Sequence, residues 1–286
     1  MSYIEKNKLC FYLDRLKKPM PITADIVLTN KCNLKCEYCR YKKGNDHMTV
    51  ALFSKVIDRL ITLNVKGVIL TGGGEPMLHE NFTQIIEVLK EKKMPFGLNT
   101  NLPNVCSIAA EWVKVSAHTQ NNVQTFNDMR RLNPDLTMGL QGIVKSSDEV
   151  FSVYNKIKKL PANYIVFRPI ESTEKIYNSD LVINIKNSID TLRAADNRVS
   201  ENYKWNMIFD SFSSCVSNWT NLFINYDGSV WYCCHKEEIV GHILDEDIIE
   251  KKLSHVTDMA TCEKPCRLSG SNLYLQSLPF QHLEFI

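Results

Sequence analysis

Three cysteines spaced C-x3-C-x2-C, Cys32, Cys36 and Cys39, follow directly on the apolar run Ile26-Val27-Leu28. Three thiolates on one tight loop can face a single metal centre, and the count is informative. A closed structural zinc site takes four protein ligands, and most iron–sulfur clusters are also held by four cysteines. Three thiolates leave one iron of a cubane open, where a substrate or cofactor can bind. Zinc, a disulfide and free core thiols are the other readings of the loop taken alone.

The aromatic Tyr38 stands just before the third cysteine, and Gly72-Gly73-Gly74-Glu75-Pro76 closes the next apolar run, Val68-Ile69-Leu70-Thr71. In this order and at successive strand ends, the two motifs resemble the signatures of radical S-adenosylmethionine enzymes. The resemblance implies that Cys32, Cys36 and Cys39 hold a [4Fe–4S] cluster. It implies that the amine and carboxylate of S-adenosylmethionine chelate the fourth iron. One-electron reduction, by a donor such as flavodoxin or ferredoxin, then releases a 5′-deoxyadenosyl radical. Tyr38, Gly73, Gly74, Glu75 and Pro76 are the cofactor-binding residues that these motifs imply.

At 286 residues the chain can carry one large domain and a small one. A net charge of +2 implies no basic face for nucleic acid, and lysine pairs such as Lys17-Lys18 and Lys251-Lys252 are scattered. No apolar stretch approaches the roughly 20 residues of a membrane span, and the start, Met1-Ser2-Tyr3-Ile4-Glu5-Lys6, lacks a signal-peptide core. A cytoplasmic protein is expected, and in that reducing setting ten cysteines need a reason other than disulfides.

Residues 1–22 read as a lead-in ending in Pro19-Met20-Pro21, with little room for a separate peptide-binding domain. From Ala24 the pattern alternates strand and helix. Strands are expected at Asp25–Leu28, Val68–Thr71, Phe96–Asn101, Trp112–Ser116, Leu136–Val144 and Tyr164–Pro169. Helices intervene, the first from about Thr49 with Val50, Phe53, Val56, Ile57, Leu60 and Ile61 at helical spacing, and the last over Leu181–Ala195. Repeated βα units predict a parallel sheet with helices outside, closed or partly closed into a barrel. The resemblance selects a partial (β/α)6 TIM-like barrel over residues 23–200.

In such folds the C-terminal strand ends line the active site. That rule gathers the cysteine loop, Gly73 to Pro76, Asn99, Asn101, Ser116, His118, Gln141 and Arg168. Asn99 or Asn101 could hydrogen-bond a ribose, and Ser116 a ribose or carboxylate. Gln141 is grouped with these cofactor-binding residues. Arg168 could pair with a carboxylate or touch substrate, and it and His118 are the candidate catalytic residues. A solvated loop or a local cap is the competing role for each.

From about Tyr203 the pattern changes. Asn221–Tyr226 is an alternating strand, Asp227-Gly228 a hairpin turn and Ser229–Cys233 the return strand. A short strand at Val240–Ile243 and a helix over Asp247–Leu253 follow, then Cys262 and Cys266. Residues 201–286 resemble the twitch extension, the shorter relative of the SPASM domain: a small β-hairpin/helix domain carrying an auxiliary [4Fe–4S] cluster. Cys215, Cys233, Cys262 and Cys266 would be its four ligands; tetrahedral zinc is satisfied by four cysteines as well. The closing C-x3-C departs from the commoner C-x2-C, and Cys233-Cys234 leaves the ligand open, since adjacent strand residues point to opposite faces. The spare cysteine, with Cys10 and Cys106, reads as a buried small hydrophobe or as a hydrogen-atom donor.

The expected activity is oxidation of a hydroxylated carbon in a small, sugar-like or aminocyclitol-type substrate. A redox-neutral epimerase or isomerase, a peptide-modifying enzyme and a zinc-stapled binding protein are the alternatives. The tail from Cys266-Arg267 to Ile286 also looks like radical enzymes of sugar and polysaccharide pathways.

Overall fold

The structure is a computed structural model describing residues 19–117, 122–171, 176–206, 208–209, 214–215, 217–255, 262, 266, 268 and 270–273. Most of the expected lead-in, Cys10, His118 and the tail beyond residue 273 lie outside them.

Strand β1 (Thr23–Val27) is followed by α1 (Val50–Thr62), β2 (Gly67–Thr71), α2 (Phe82–Glu91), β3 (Phe96–Thr100) and β4 (Trp112–Ser116). Then come α3 (Asn122–Leu132), β5 (Thr137–Val144), α4 (Ser147–Ile157), β6 (Tyr164–Pro169), α5 (Ser179–Ala195) and β7 (Val199–Glu201). Three of the helices start where sequence supplies a side-chain cap. Thr49 accepts the Leu52 N–H at the start of α1, and Ser146 and Asn178 do the same for α4 and α5. Helix α1 then buries Phe53, Val56, Ile57 and Leu60 on one face.

β1 to β7 pair in parallel and in order. The register sorts their side chains by face. Ala24, Ile26, Val68, Leu70, Leu98, Val113, Val115, Met138, Leu140, Ile165 and Phe167 share the hydrophobic core with the helices. The opposite, inner face carries Asp25, Thr71, Asn99, Lys114, Ser116, Gln141 and Arg168 instead. Polar strand positions facing away from the helices are the signature of a barrel interior used as a site. The α/β architecture expected from the sequence is thus present, with a short seventh strand added.

β8 (Asn221–Ile224), β9 (Ser229–Cys233), β10 (Lys236–His242) and α6 (Ile248–Ser254) complete the chain. The Asp227-Gly228 turn forms as expected, with Gly228 at φ +84° and Asp227 accepting the Ser229 N–H at 2.9 Å. The hairpin is not held apart from the barrel. β8 pairs in parallel with β1, Thr23 opposite Asn221 and Ile26 opposite Ile224, so one ten-stranded sheet runs through both. Arg59 on α1 adds a tie, donating to the Asp245 and Glu246 carbonyls at 3.0 Å. Among the described residues no helix is long and apolar enough to cross a membrane.

Candidate active site

The cysteine loop leaves β1 through a clasp. Asn30 donates its amide to Asp46 at 2.7 Å and accepts the Asp46 N–H at 2.8 Å, while Thr29 donates to the Asp46 carbonyl at 2.7 Å. These bonds close the base of a segment from Asn30 to Asp46, and the three cysteines ride on it, each partly exposed. The thiols are mutual neighbours: burial, with Cys39 and Cys32 nearby, pushes the Cys36 thiol up, and the Tyr38 hydroxyl beside it pulls it back. Burial and Cys36 in turn push the Tyr38 phenol well above its ordinary value.

The glycine run lies directly against this loop. A Cβ on Gly74 would stand 2.1 Å from the Lys31 carbonyl oxygen and 2.7 Å from the Asn30 carbonyl carbon. Gly73, at φ +114°, has the conformation an L side chain avoids. Close contact lets the Glu75 N–H reach the Lys31 carbonyl at 2.8 Å and the Lys43 ammonium reach the Gly73 carbonyl at 3.0 Å. Part of the glycine requirement is therefore internal, joining the two motifs to each other.

Glu75 and Asn101 continue that joinery. The Glu75 carboxylate accepts from Thr100 Oγ1 at 2.6 Å, the Asn101 N–H at 2.7 Å and the Met77 N–H at 3.1 Å. It is buried, and burial pushes its pKa up to about 7 against the pull of those donors. Pro76 opens the short turn that Glu75 caps. The Asn101 amide donates to Asn33 Oδ1 at 2.9 Å and reaches Cys32 Sγ at 3.9 Å. Thus Asn101, expected to meet a cofactor, holds the cysteine loop through its side chain, whereas Glu75 meets the loop through its N–H and turns its carboxylate to Thr100, Asn101 and Met77. Asn99 donates to Thr71 at 3.2 Å while its Oδ1 is buried with no hydrogen-bond partner among the described residues. Ser116 and Gln141 stand side by side on the inner face.

Arg168 ends β6 on that face, close enough to Tyr38, Tyr41 and Cys234 for their charges to act on it. It donates to Glu171 Oε1 at 2.7 Å, and its Nε is buried with no partner among the described residues. Lys204 also bonds Glu171 Oε1, and His235 Nε2 lies 3.5 Å from Oε2. Lys204 is brought there by Trp205, whose indole donates to the Phe167 carbonyl of β6 at 2.9 Å. Sequence reasoning missed Glu171, Lys204 and His235, which come from three separate segments with no common spacing. It also missed Lys114, although the alternation Trp112-Val113-Lys114-Val115-Ser116 puts Lys114 on the Ser116 face.

The second cysteine group assembles on β9 and the segments packed on it. Cys215 and Cys233 act electrostatically on Cys262, which accepts from Cys266 and is lowered by it. Two backbone donors point at sulfur: His235 N–H to Cys233 at 3.4 Å and Leu268 N–H to Cys266 at 3.3 Å. The Asn272 amide reaches Cys215 Sγ at 3.4 Å. Cys233 is buried toward this group, whereas Cys234 is the one whose charge reaches Arg168. Lys252, 1% exposed, bonds the Trp231 and Tyr232 carbonyls with its ammonium over the Tyr232 ring, near Cys233. Burial pushes the Cys233 thiol up to about 12, and the bond to Cys262 does the same for Cys266; the amides aimed at sulfur and the Lys252 ammonium would favour thiolates there once a metal centre is bound. Among the described residues, no three His, Cys, Asp or Glu side chains are gathered as a finished ion site; the fit rests on the chemistry of the donor sets.

A stack of rings joins the end of the first cysteine loop to β8 and β9. Tyr41, two residues past Cys39, lies 6.4 Å from Phe223 at 1° between planes, and Phe223 lies 5.4 Å from Trp231. The Arg40 guanidinium sits 5.8 Å above Tyr41 and pairs with Glu237 at 3.9 Å. The C-terminal hairpin thereby braces the first cysteine loop.

Residues 26–160 match the sequence pattern of the Radical SAM superfamily. The GTP 3′,8-cyclase of Synechocystis is 35% identical over 82 residues, 27% of this chain and 25% of that protein. The sporulation killing factor maturation protein SkfB of Bacillus subtilis is 25% identical over 92% of this chain and 72% of its own length. Among solved structures, Streptococcus suis SuiB bound to S-adenosylmethionine aligns with a TM-score of 0.61. That alignment covers 89% of this chain and 71% of SuiB at 12% identity, a likeness of fold alone.

Proposed function

Because this chain belongs to the radical SAM superfamily, whose members use S-adenosylmethionine and a [4Fe–4S] cluster, we propose that it oxidises a hydroxylated carbon of a small polar substrate between its two cysteine groups. Cys32, Cys36 and Cys39 would hold the first cluster, and Cys215, Cys233, Cys262 and Cys266 a second, auxiliary one. When bound, the first cluster and S-adenosylmethionine supply a 5′-deoxyadenosyl radical.

The protein's own residues do the rest. Asn30 and Asp46 fix the base of the loop, and Gly74, Glu75 and Asn101 lock it to the ends of β2 and β3. The inner-face groups Thr71, Asn99, Ser116 and Gln141 offer hydroxyls and amides suited to a hydroxylated ligand. Asn99 Oδ1, a buried acceptor without a donor, is where a substrate or ribose hydroxyl would be held. Conversion of the resulting substrate radical to a ketone releases one proton, to solvent, and one electron. A cluster held by Cys215, Cys233, Cys262 and Cys266 would supply the acceptor for that electron, and Lys252 beside Cys233 would stabilise the added negative charge.

The observation that carries the reading is that Tyr38 of the first cysteine loop and Cys234, next to Cys233, both lie close to Arg168. Anaerobic turnover should consume one S-adenosylmethionine for each ketone formed. A product of unchanged oxidation state, with solvent deuterium on carbon, would select an epimerase instead.

A second reading, peptide modification, draws on the likeness to SkfB, which runs along nearly the whole chain. A peptide product cross-linked or oxidised in the presence of S-adenosylmethionine would favour it over the small-molecule oxidation.

A further inference from the structure

The cluster of charged side chains between the two cysteine groups reaches beyond these readings of the site. Arg168, Glu171, Lys204 and His235 converge from the end of β6, the turn after β7 and the β9–β10 turn. Arg168 and Lys204 share a single oxygen, Oε1 of Glu171. The guanidinium is committed to Glu171 through Nη1 only. Its Nε–H is buried and has no acceptor among the described residues, a position that costs free energy unless something fills it. A guanidinium presents its donors as a planar fork matched to carboxylate and phosphate oxygens, and Lys204 adds a second positive charge alongside.

We propose that this cluster is an oxyanion subsite. In it, Arg168 Nε and the Lys204 ammonium hold a carboxylate or phosphate of the substrate, and Glu171 keeps both cations poised while the subsite is empty. Glu171 acts as an internal placeholder: its carboxylate offers the two cations the kind of anionic oxygen that the group it stands in for would bring. Neutral hydroxyl and amide donors on the sheet would then read the remainder of the substrate, so the substrate class is an anionic, hydroxylated small molecule. This deepens the oxidation reading and rests on it for the identity of the bound molecule, although the anion subsite itself is measurable without turnover.

Placeholder logic gives a signed prediction. Removing a counter-ion ordinarily weakens a charged cluster, but here Glu171→Gln removes the competitor and should tighten anion binding. The measurement is calorimetric titration of the anaerobically reconstituted holoenzyme, unreduced, with inorganic phosphate and separately with acetate, at fixed ionic strength. Wild type should show saturable binding of at least one of them. The affinity should fall about tenfold in Lys204→Met and in Arg168→Gln, one charge-assisted contact each, and rise several-fold in Glu171→Gln. The tighter probe tells phosphate from carboxylate.

The titrations are repeated with S-adenosylmethionine present. Unchanged phosphate or acetate binding assigns the subsite to the substrate; abolished binding would assign Arg168 to the cofactor's carboxylate and overturn the proposal. Equal affinity in all four proteins, no saturable binding, or weaker binding in Glu171→Gln would overturn it too. Should Lys204→Met fail to fold, the Glu171→Gln and Arg168→Gln arms decide. Ketone formation is assayed on the same preparations, so an anion subsite in a protein that makes no ketone separates failure of the oxidation reading from failure of this one.

Discussion

Replacing Gly74 by alanine should damage the protein far more than the same change two residues earlier. A Cβ at position 74 would lie 2.1 Å from the Lys31 oxygen and 2.7 Å from two backbone carbonyl carbons. All three are main-chain atoms, so no side chain can rotate away. The glycine run and the cysteine loop would have to separate by roughly 1 Å to restore ordinary contact. That shift strains or breaks the bond from Glu75 N–H to Lys31 oxygen, 2.8 Å long. Overpacking costs about 1–3 kcal/mol and the lost hydrogen bond about 1 kcal/mol, giving about 2–4 kcal/mol together. At Gly72 the added Cβ would meet nothing nearer than 3.8 Å, and the cost should stay within about 0.5 kcal/mol. Urea unfolding of Gly74→Ala and Gly72→Ala reads the stabilities, and iron analysis after anaerobic reconstitution reads the loop. Because Lys31 precedes Cys32, Gly74→Ala should also lose iron. Two variants with equal midpoints and equal iron would show that the glycine run does not pack on the cysteine loop as described.

Glu75 and Lys252 yield further tests. The Glu75 carboxyl, raised from 4.5 to about 7, binds its proton more tightly folded than unfolded. Its contribution to stability is therefore full below pH 4.5 and is lost as pH rises to about 7, by up to about 3 kcal/mol. Glu75→Gln should remove that component from the pH dependence of unfolding. Parallel pH profiles for the two proteins would refute the assignment. Lys252→Met, similar in length and uncharged, should lower the metal retained at the C-terminal cysteines several-fold. A more stable protein with unchanged metal would make Lys252 an ordinary buried ammonium.

Much of this arrangement was legible in the chain because it is local. Strands such as Trp112–Ser116 and Tyr164–Pro169 fall where the apolar runs and their punctuation put them. The caps at Thr49 and Ser146 sit one residue before their helices. β7 was not legible, since three residues, Val199 to Glu201, carry no alternation of their own and form a strand only because β6 is there to pair with. The short strand expected at Val240–Ile243 begins at Lys236 instead, because β9 is there to pair with. The parallel pairing of β1 with β8 joins residues about 200 positions apart, and nothing in either segment encodes its partner. The motif residues were legible, but several of their partners were not. Glu75 and Asn101 are marked by position, yet only the fold shows that their side chains turn to the Thr100 hydroxyl and to Asn33 rather than outward. Glu171, Lys204 and His235 meet only in three dimensions.

The central claim is that two cysteine groups hold two clusters with separate tasks. The most direct measurement is iron, sulfide and 5′-deoxyadenosine on anaerobically prepared wild type beside Cys32/Cys36/Cys39→Ala. The account predicts about eight irons in wild type and about four in the variant, with 5′-deoxyadenosine formation lost. Zinc without iron in the wild-type protein, or 5′-deoxyadenosine from the triple variant, would contradict it.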